Sequence, residues 1–165
     1  MNIKSHALCR GDVSAIVCRR CVVIAYNTLI HTHCPDSRSA IIWREHCMVK
    51  YSDIYFFGKV DTNNGFFNVT DEDTWNSETE VLFFASMVAF NAINSTKFYA
   101  NSTLNLTEVT FYGVAQCTQD LVKDDCKKCL DEARSQLKVC CWRYKGVRFE
   151  FGSCNLRYEI YPFLN

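Results

Sequence analysis

Eleven cysteines stand in this 165-residue chain. Thiols at that density can close disulfides, ligate a structural metal or exchange electrons. Their spacing is ordered. Cys-x8-Cys-x2-Cys occurs at Cys9, Cys18 and Cys21 and again at Cys117, Cys126 and Cys129. Cys34 and Cys47 follow the first triplet, Cys141 and Cys154 the second, and Cys140 is left over. The Cys18-x2-Cys21 and Cys126-x2-Cys129 pairs have zinc-ligand spacing. Each ion would need two more ligands, however, and a third cysteine nine residues upstream is not the usual arrangement. Thioredoxin-type exchange needs its pair at a helix N-terminus after a strand, whereas both pairs here fall in mid-helix periodicity. Disulfides remain the favoured chemistry, with no metal and no cofactor expected.

Other reactive constellations are sparse. His6, His31, His33 and His46 all lie in the first third of the chain, and His31 and His33 flank a helix end near Cys34. Histidines gather at helix ends for electrostatic reasons, so that cluster does not require a Cys–His nucleophile. There is no recognisable Ser-His-Asp set, paired-carboxylate motif or glycine-rich phosphate loop, and the chain is read as non-enzymatic. Lysine plus arginine balance aspartate plus glutamate at 18 each, which gives no electrostatic case for nucleic acid or a membrane surface. Four N-glycosylation sequons begin at Asn68, Asn94, Asn101 and Asn105, all between the two cysteine blocks. Sequons and cysteines together favour an oxidising, extracellular compartment. No signal peptide is evident in residues 1–30, and Val81–Ile93 is too short to span a bilayer. The expectation is therefore that the sequence starts inside a repeat whose upstream part, with its leader, is missing.

The elements that must hold these cysteines come from a duplication. A shift of 108 carries Cys18, Cys21, Val22, Ala25 and Leu29 onto Cys126, Cys129, Leu130, Ala133 and Leu137. A shift of 107 carries Cys34, Cys47 and Tyr51 onto Cys141, Cys154 and Tyr158. Such repetition sets the fold reading. In the complete second copy, 53–165, the aromatic runs 54–59 and 66–69 flank Asp61, Asn63, Asn64 and Gly65 and predict a hairpin. Thr70-Asp71-Glu72-Asp73 predicts a helix start, followed by an apolar face of Val81, Leu82, Ala85, Val88, Ala89 and Ala92. The sequon-bearing segment 91–105 reads as an exposed loop, and 109–116 as a strand. Val122, Cys126, Cys129, Leu130, Ala133 and Leu137 share a second helical face, and 147–151 and 156–161 close the domain as strands. The order ββαβαββ, two helices on an antiparallel sheet, is an α+β layer. The first copy, 1–52, offers only a strand end, one helix and closing strands. It lacks the hairpin and the first helix, so its sheet edge and helix face should be left uncovered.

The two cysteine blocks, the linker Tyr55-Phe56-Phe57-Gly58 and the ending from Cys154 to Phe163 resemble the plant ginkbilobin-homologous, or salt-stress/antifungal, domain. Its tandem form occurs in cysteine-rich repeat secretory proteins, plasmodesmata-located proteins and ectodomains of cysteine-rich receptor-like kinases. The resemblance implies disulfides Cys9–Cys18, Cys21–Cys47, Cys117–Cys126 and Cys129–Cys154. It leaves Cys34 without a partner, and Cys141 either bonds Cys140 as a vicinal pair or both stay thiols. The family's antifungal founder resembles a mannose-binding lectin. Its pattern of an Arg six residues before the last cysteine and a Glu five after it falls here on Arg148 and Glu159, with Asp53 as substitute for a missing Asn. A guanidinium and a carboxylate on neighbouring strands can donate to and accept from sugar hydroxyls, or pair across the strands as a weak ion pair. The first copy has Ile41 and Ser52 there and cannot make the site. The resemblance thus implies a secreted apoplastic protein of plant defence that binds a mannose-type or cell-wall glycan. The alternatives are an interaction module for related receptor-like kinase ectodomains, or a truncated product without function.

Overall fold

The computed structural model describes residues 2–74 and 77–164, except the side chain of Asp73; Met1, Trp75, Asn76 and Asn165 lie outside the described residues. The chain divides into two compact units, the first reaching Gly58 and the second running from Lys59 to Leu164. That division falls just after the aromatic linker, a few residues beyond the expected 52/53 boundary.

In the first unit, strand β1 (Lys4–Cys9) is followed by helix α1 (Ala15–Thr28), whose Ser14 hydroxyl caps the N-terminus by accepting from the Val17 amide at 3.3 Å. A π-helical turn over Leu29–His33 continues the helix. Strands β2 (Ser39–Trp43) and β3 (Cys47–Ser52) complete an antiparallel sheet of order β1-β3-β2. Its core is small: Ala25, Leu29, Cys47, Val49 and Tyr51. Cys9–Cys18 fixes the end of β1 to α1, and Cys21–Cys47 fixes α1 to β3. Across separations of 9 and 26 residues, such bonds contribute about 2–4 kcal/mol each by restricting the unfolded chain.

The second unit repeats that plan and adds to it. Strand β4 (Phe66–Thr74) precedes helix α2 (Glu78–Ile93) and strand β5 (Tyr99–Asn105). The duplicated part then follows: β6 (Thr110–Cys117), α3 (Lys123–Gln136), a π-helical turn over Leu137–Cys141, β7 (Tyr144–Glu150) and β8 (Cys154–Glu159). The sheet is antiparallel in the order β4-β7-β8-β6-β5. Both helices lie on one of its faces, over Phe84, Val88, Phe111, Leu130, Leu137, Val147, Phe149 and Leu156. Phe84 stacks on Phe111 with centroids 5.3 Å apart. Its ring lies so close to Gly113 that a Cβ there would meet it at 2.6 Å, which is why that strand position has no side chain.

The α+β class holds, but the element order is βαββαββ rather than ββαβαββ. Residues 54–59 form no strand. Thr70 to Asp73 belongs to β4 instead of opening a helix, and the helix starts at Glu78 after the N-cap Ser77, with Glu78 and Glu80 favourably placed at the positive end of its dipole. The segment expected as an exposed loop contains β5, an edge strand whose inward positions Ala100, Ser102 and Leu104 are small or alternate with exposed polar residues.

Cys117–Cys126 and Cys129–Cys154 tie β6 to α3 and α3 to β8, matching the first unit pair for pair. Cys140 and Cys141 form a vicinal disulfide at the end of the π-helical turn, and Cys34 is a half-buried free thiol.

Candidate functional site

The face of the second unit's sheet turned away from the helices carries a charged cluster. Alternation along β7 sends Val147 and Phe149 into the core, so Arg148 and Glu150 point the other way; on β8, Leu156 and Tyr158 go inward while Arg157 and Glu159 share the opposite face. Two Arg-aromatic-Glu triplets, Arg148-Phe149-Glu150 and Arg157-Tyr158-Glu159, are therefore laid side by side, with Arg148 directly across from Arg157.

Glu159 lies at the centre and is completely buried. The Arg157 Nε donates to one carboxylate oxygen at 2.7 Å and the Thr70 hydroxyl donates to the other at 2.7 Å. A Cβ at Gly146 would meet that second oxygen at 2.1 Å, so the glycine makes the space the carboxylate occupies. The Phe163 ring covers the Arg157 guanidinium at 4.0 Å. Arg148 pairs with Glu150 and stays about one-fifth exposed, while Glu150 is nearly sealed. The cluster balances two guanidinium groups against two carboxylates. A buried ionic arrangement of this kind stands only while every member is paired.

The named sugar residues are thus partly united. Arg148 and Glu159 share a face, with Glu150 and Arg157 among their partners. Asp53 belongs to the first unit, where it accepts from the Arg38 guanidinium at 2.5 Å and its amide bonds the Arg38 carbonyl at 3.1 Å. Sequence reasoning passed over Thr70, Gly146, Glu150 and Arg157. The repeated Arg-aromatic-Glu triplet was the available signal for two of them.

Beneath this face, the Tyr158 hydroxyl donates to the Tyr144 carbonyl at 2.5 Å. Burial, and then the neighbouring Glu159 carboxylate, push its ionisation well above the ordinary tyrosine range. Its counterpart Tyr51 donates to the Cys34 and Ser37 carbonyls at 3.2 and 3.1 Å and is raised in the same direction, chiefly by burial.

His31 and His33 lie in the first π-helical turn and are exposed, and the His6 ring stacks on Phe57 at 5.9 Å. Among the described residues, no group of three His, Cys, Asp or Glu side chains is placed to hold a metal ion. All four sequon asparagines are exposed: Asn68 on β4, Asn94 at the end of α2, Asn101 and Asn105 on β5. No helix among the described residues is long and apolar enough to cross a membrane.

A family model described as salt stress response/antifungal matches residues 1–54 and 61–161. The chain belongs to that family. It is 46% identical over 163 residues to the antimicrobial ginkbilobin-2-like protein of Castanea crenata, covering 96% of this chain and 67% of that one. It is 40% identical over 168 residues to cysteine-rich repeat secretory protein 38 of Arabidopsis thaliana, covering 99% and 66%. The chain therefore spans about two thirds of the length of these curated relatives. Among solved structures, the tandem DUF26 ectodomain of the Arabidopsis thaliana cysteine-rich receptor-like protein PDLP5 matches with a TM-score of 0.75 at 25% identity, over 97% of this chain and 74% of that one. Membership in the salt stress/antifungal family thus joins this chain to secreted cysteine-rich repeat proteins and to receptor-like ectodomains.

Proposed function

We propose that this salt stress/antifungal family member works outside the cytosol as a non-catalytic binding protein that associates with ectodomains of related cysteine-rich receptor-like proteins. One observation carries the reading. The duplication aligns α1 with α3, and where α3 has Asp124, Asp131, Glu132 and Arg134, α1 has Ile16, Val23, Ile24 and Tyr26. All four apolar residues are exposed, Ile16 by 78%. Exposed apolar residues gathered on one helix mark a contact surface rather than a solvated one. The cystine framework and the secretory and receptor-like names of the relatives support an extracellular setting. The test is surface-plasmon binding of the disulfide-bonded protein to a purified tandem ectodomain of a cysteine-rich receptor-like protein. Binding that is lost in the Val23→Asp/Ile24→Glu double variant supports the reading; no binding to any such ectodomain overturns it.

A second reading, binding of a mannose-type glycan, is favoured by the shared face of Arg148 and Glu159. Arg148 is the more open of the two; Glu159 is sealed and bonded internally, so a sugar would address the guanidinium first. Retention on mannan that disappears in Arg148→Ala supports this reading, and no retention on plant or fungal wall polysaccharide removes it. The exposed sequon asparagines are proposed acceptors for N-glycans, which intact-mass measurement before and after glycosidase treatment would reveal.

A further inference from the structure

Two helix faces in this molecule are exposed, apolar and oppositely charged. On α1 the solvent side carries Ile16, Arg19, Arg20, Val23, Ile24 and Tyr26, and the helix contains no acidic residue. On α2 the solvent side carries Glu80, Phe83 and Phe90, with Met87 between them partly buried against the core, and the helix contains no basic residue. Phe83 is 59% and Phe90 66% exposed, although both could have been polar without disturbing the core beneath. The spacings agree as well. Arg20, Val23, Asn27 and Ile30, the last partly buried against its own unit's core, step along the first helix and its π-helical turn by 3, 4 and 3 residues, and Glu80, Phe83, Met87 and Phe90 take the same steps along α2. Positions three and four apart line one side of a helix. Beside α1, a cleft of about 400 Å³ between Ile16, Arg20, Ile24 and the Arg44–His46 turn is wide enough to receive an aromatic ring.

We propose that the α1 face is a docking site for the α2 face of a second copy of this chain, the two helices running parallel. This rests on the reading of α1 as a contact surface and names one partner for it. In that alignment Glu80 meets Arg19 and Arg20, and Phe83 and Phe90 lie against Val23, Ile24, Tyr26 and Ile30. Of charged residues, a pair of α1 helices holds only arginine and a pair of α2 helices only glutamate, so neither like pair gains an opposite charge in any orientation, whereas the unlike contact sets Arg19 and Arg20 against Glu80; charge complementarity favours the unlike contact. Because the two surfaces differ, the contact is heterologous: it closes into a ring where the rotation allows, or adds copy after copy.

The experiment is sedimentation velocity with light scattering on the purified, disulfide-bonded chain over a concentration series, at low and high salt. The expected result is a weight-average mass that rises above 19.1 kDa with concentration and falls back as salt screens the pair. Val23→Asp/Ile24→Glu, which introduces the acidic residues that α3 carries at the equivalent positions Asp131 and Glu132, should abolish the rise while circular dichroism stays unchanged. Arg20→Glu and Glu80→Arg should each weaken association several-fold. Combined in one chain, they should restore it, because each docked pair then regains opposite charges. Unspecific stickiness would show no such rescue. A chain that stays monomeric throughout its soluble range, or association unaffected by Val23→Asp/Ile24→Glu, or a double charge swap without recovery, overturns the proposal. A monomeric chain that still captures a receptor-like ectodomain overturns self-pairing alone; one that does neither overturns the wider reading too.

Discussion

The two units share one cystine framework and differ in what lies on their helix. In the second, α3 is flanked by α2, where the Arg134 guanidinium donates to the Ser86 hydroxyl at 2.7 Å, and its remaining surface is charged. In the first, no counterpart of α2 exists among the described residues, and α1 turns isoleucine and valine outward. The same strand-helix-strand-strand module therefore stands on two different energetic footings. The second unit rests on a broad core reinforced by cystines. The first has a small core around Ala25, Leu29, Cys47, Val49 and Tyr51, and a unit of that size buries too little apolar surface alone, so its cystines are expected to supply much of its order.

That contrast can be broken most severely at the staples. Cys21–Cys47 and Cys129–Cys154 close loops of nearly equal size, 26 and 25 residues, so their unfolded-state contributions are matched at about 2–4 kcal/mol. Replacing Cys21 and Cys47 by Ala should leave the first unit unprotected in hydrogen exchange. Replacing Cys129 and Cys154 should lower the second unit's stability yet leave it folded. Equal loss of protection in both would refute the difference in core. Next in size, Phe84→Ala should cost the second unit about 3–5 kcal/mol by chemical denaturation and leave exchange in the first unit unchanged.

A smaller effect is expected at Gly146. Adding a methyl group there drives into the Glu159 carboxylate and the Thr70 hydroxyl, and Gly146→Ala should destabilise by about 1–3 kcal/mol. Thr70→Ser/Gly146→Ala should recover little, because the carboxylate is the nearer obstacle. Thermal unfolding followed by near-ultraviolet circular dichroism would rank the two. The smallest change concerns pH. The folded state holds Tyr158 protonated beyond the ordinary value of 10.0, so its contribution is complete below pH 10. As pH rises above that value the unfolded chain releases the proton first and stability falls. Tyr158→Phe should lose about 1 kcal/mol at neutral pH with its hydrogen bond and flatten the alkaline decline.

Cysteine spacing made the duplicated module legible, helix and closing strands included, because covalent frameworks leave invariant offsets. Helix α2 was visible in its apolar period, although its start was misplaced: Thr70 to Asp73 looks like a capping segment, yet β7 recruits it into the sheet through pairs such as Asp71 with Gly146. Strand β5 was hidden because an edge strand with Asn101, Thr103 and Asn105 outward reads as a loop until β6 supplies its partner. At the candidate site, Arg148 and Glu159 came from resemblance. The sealing of Glu159 by Thr70, from 89 residues away, could not be read from local pattern at all.

One feature of β4 bears on how this protein fails. The strand ends its sheet with two register shifts, after Val69 and after Asp71, and with Asp71 and Glu72 along the rim. A rim that is kinked and negatively charged is a poor template for another backbone. Strand addition is therefore disfavoured on that flank, and within this sheet heat-damaged molecules would seed cross-β deposits from the uncharged margin at β5 wherever Asn101 and Asn105 carry no glycan.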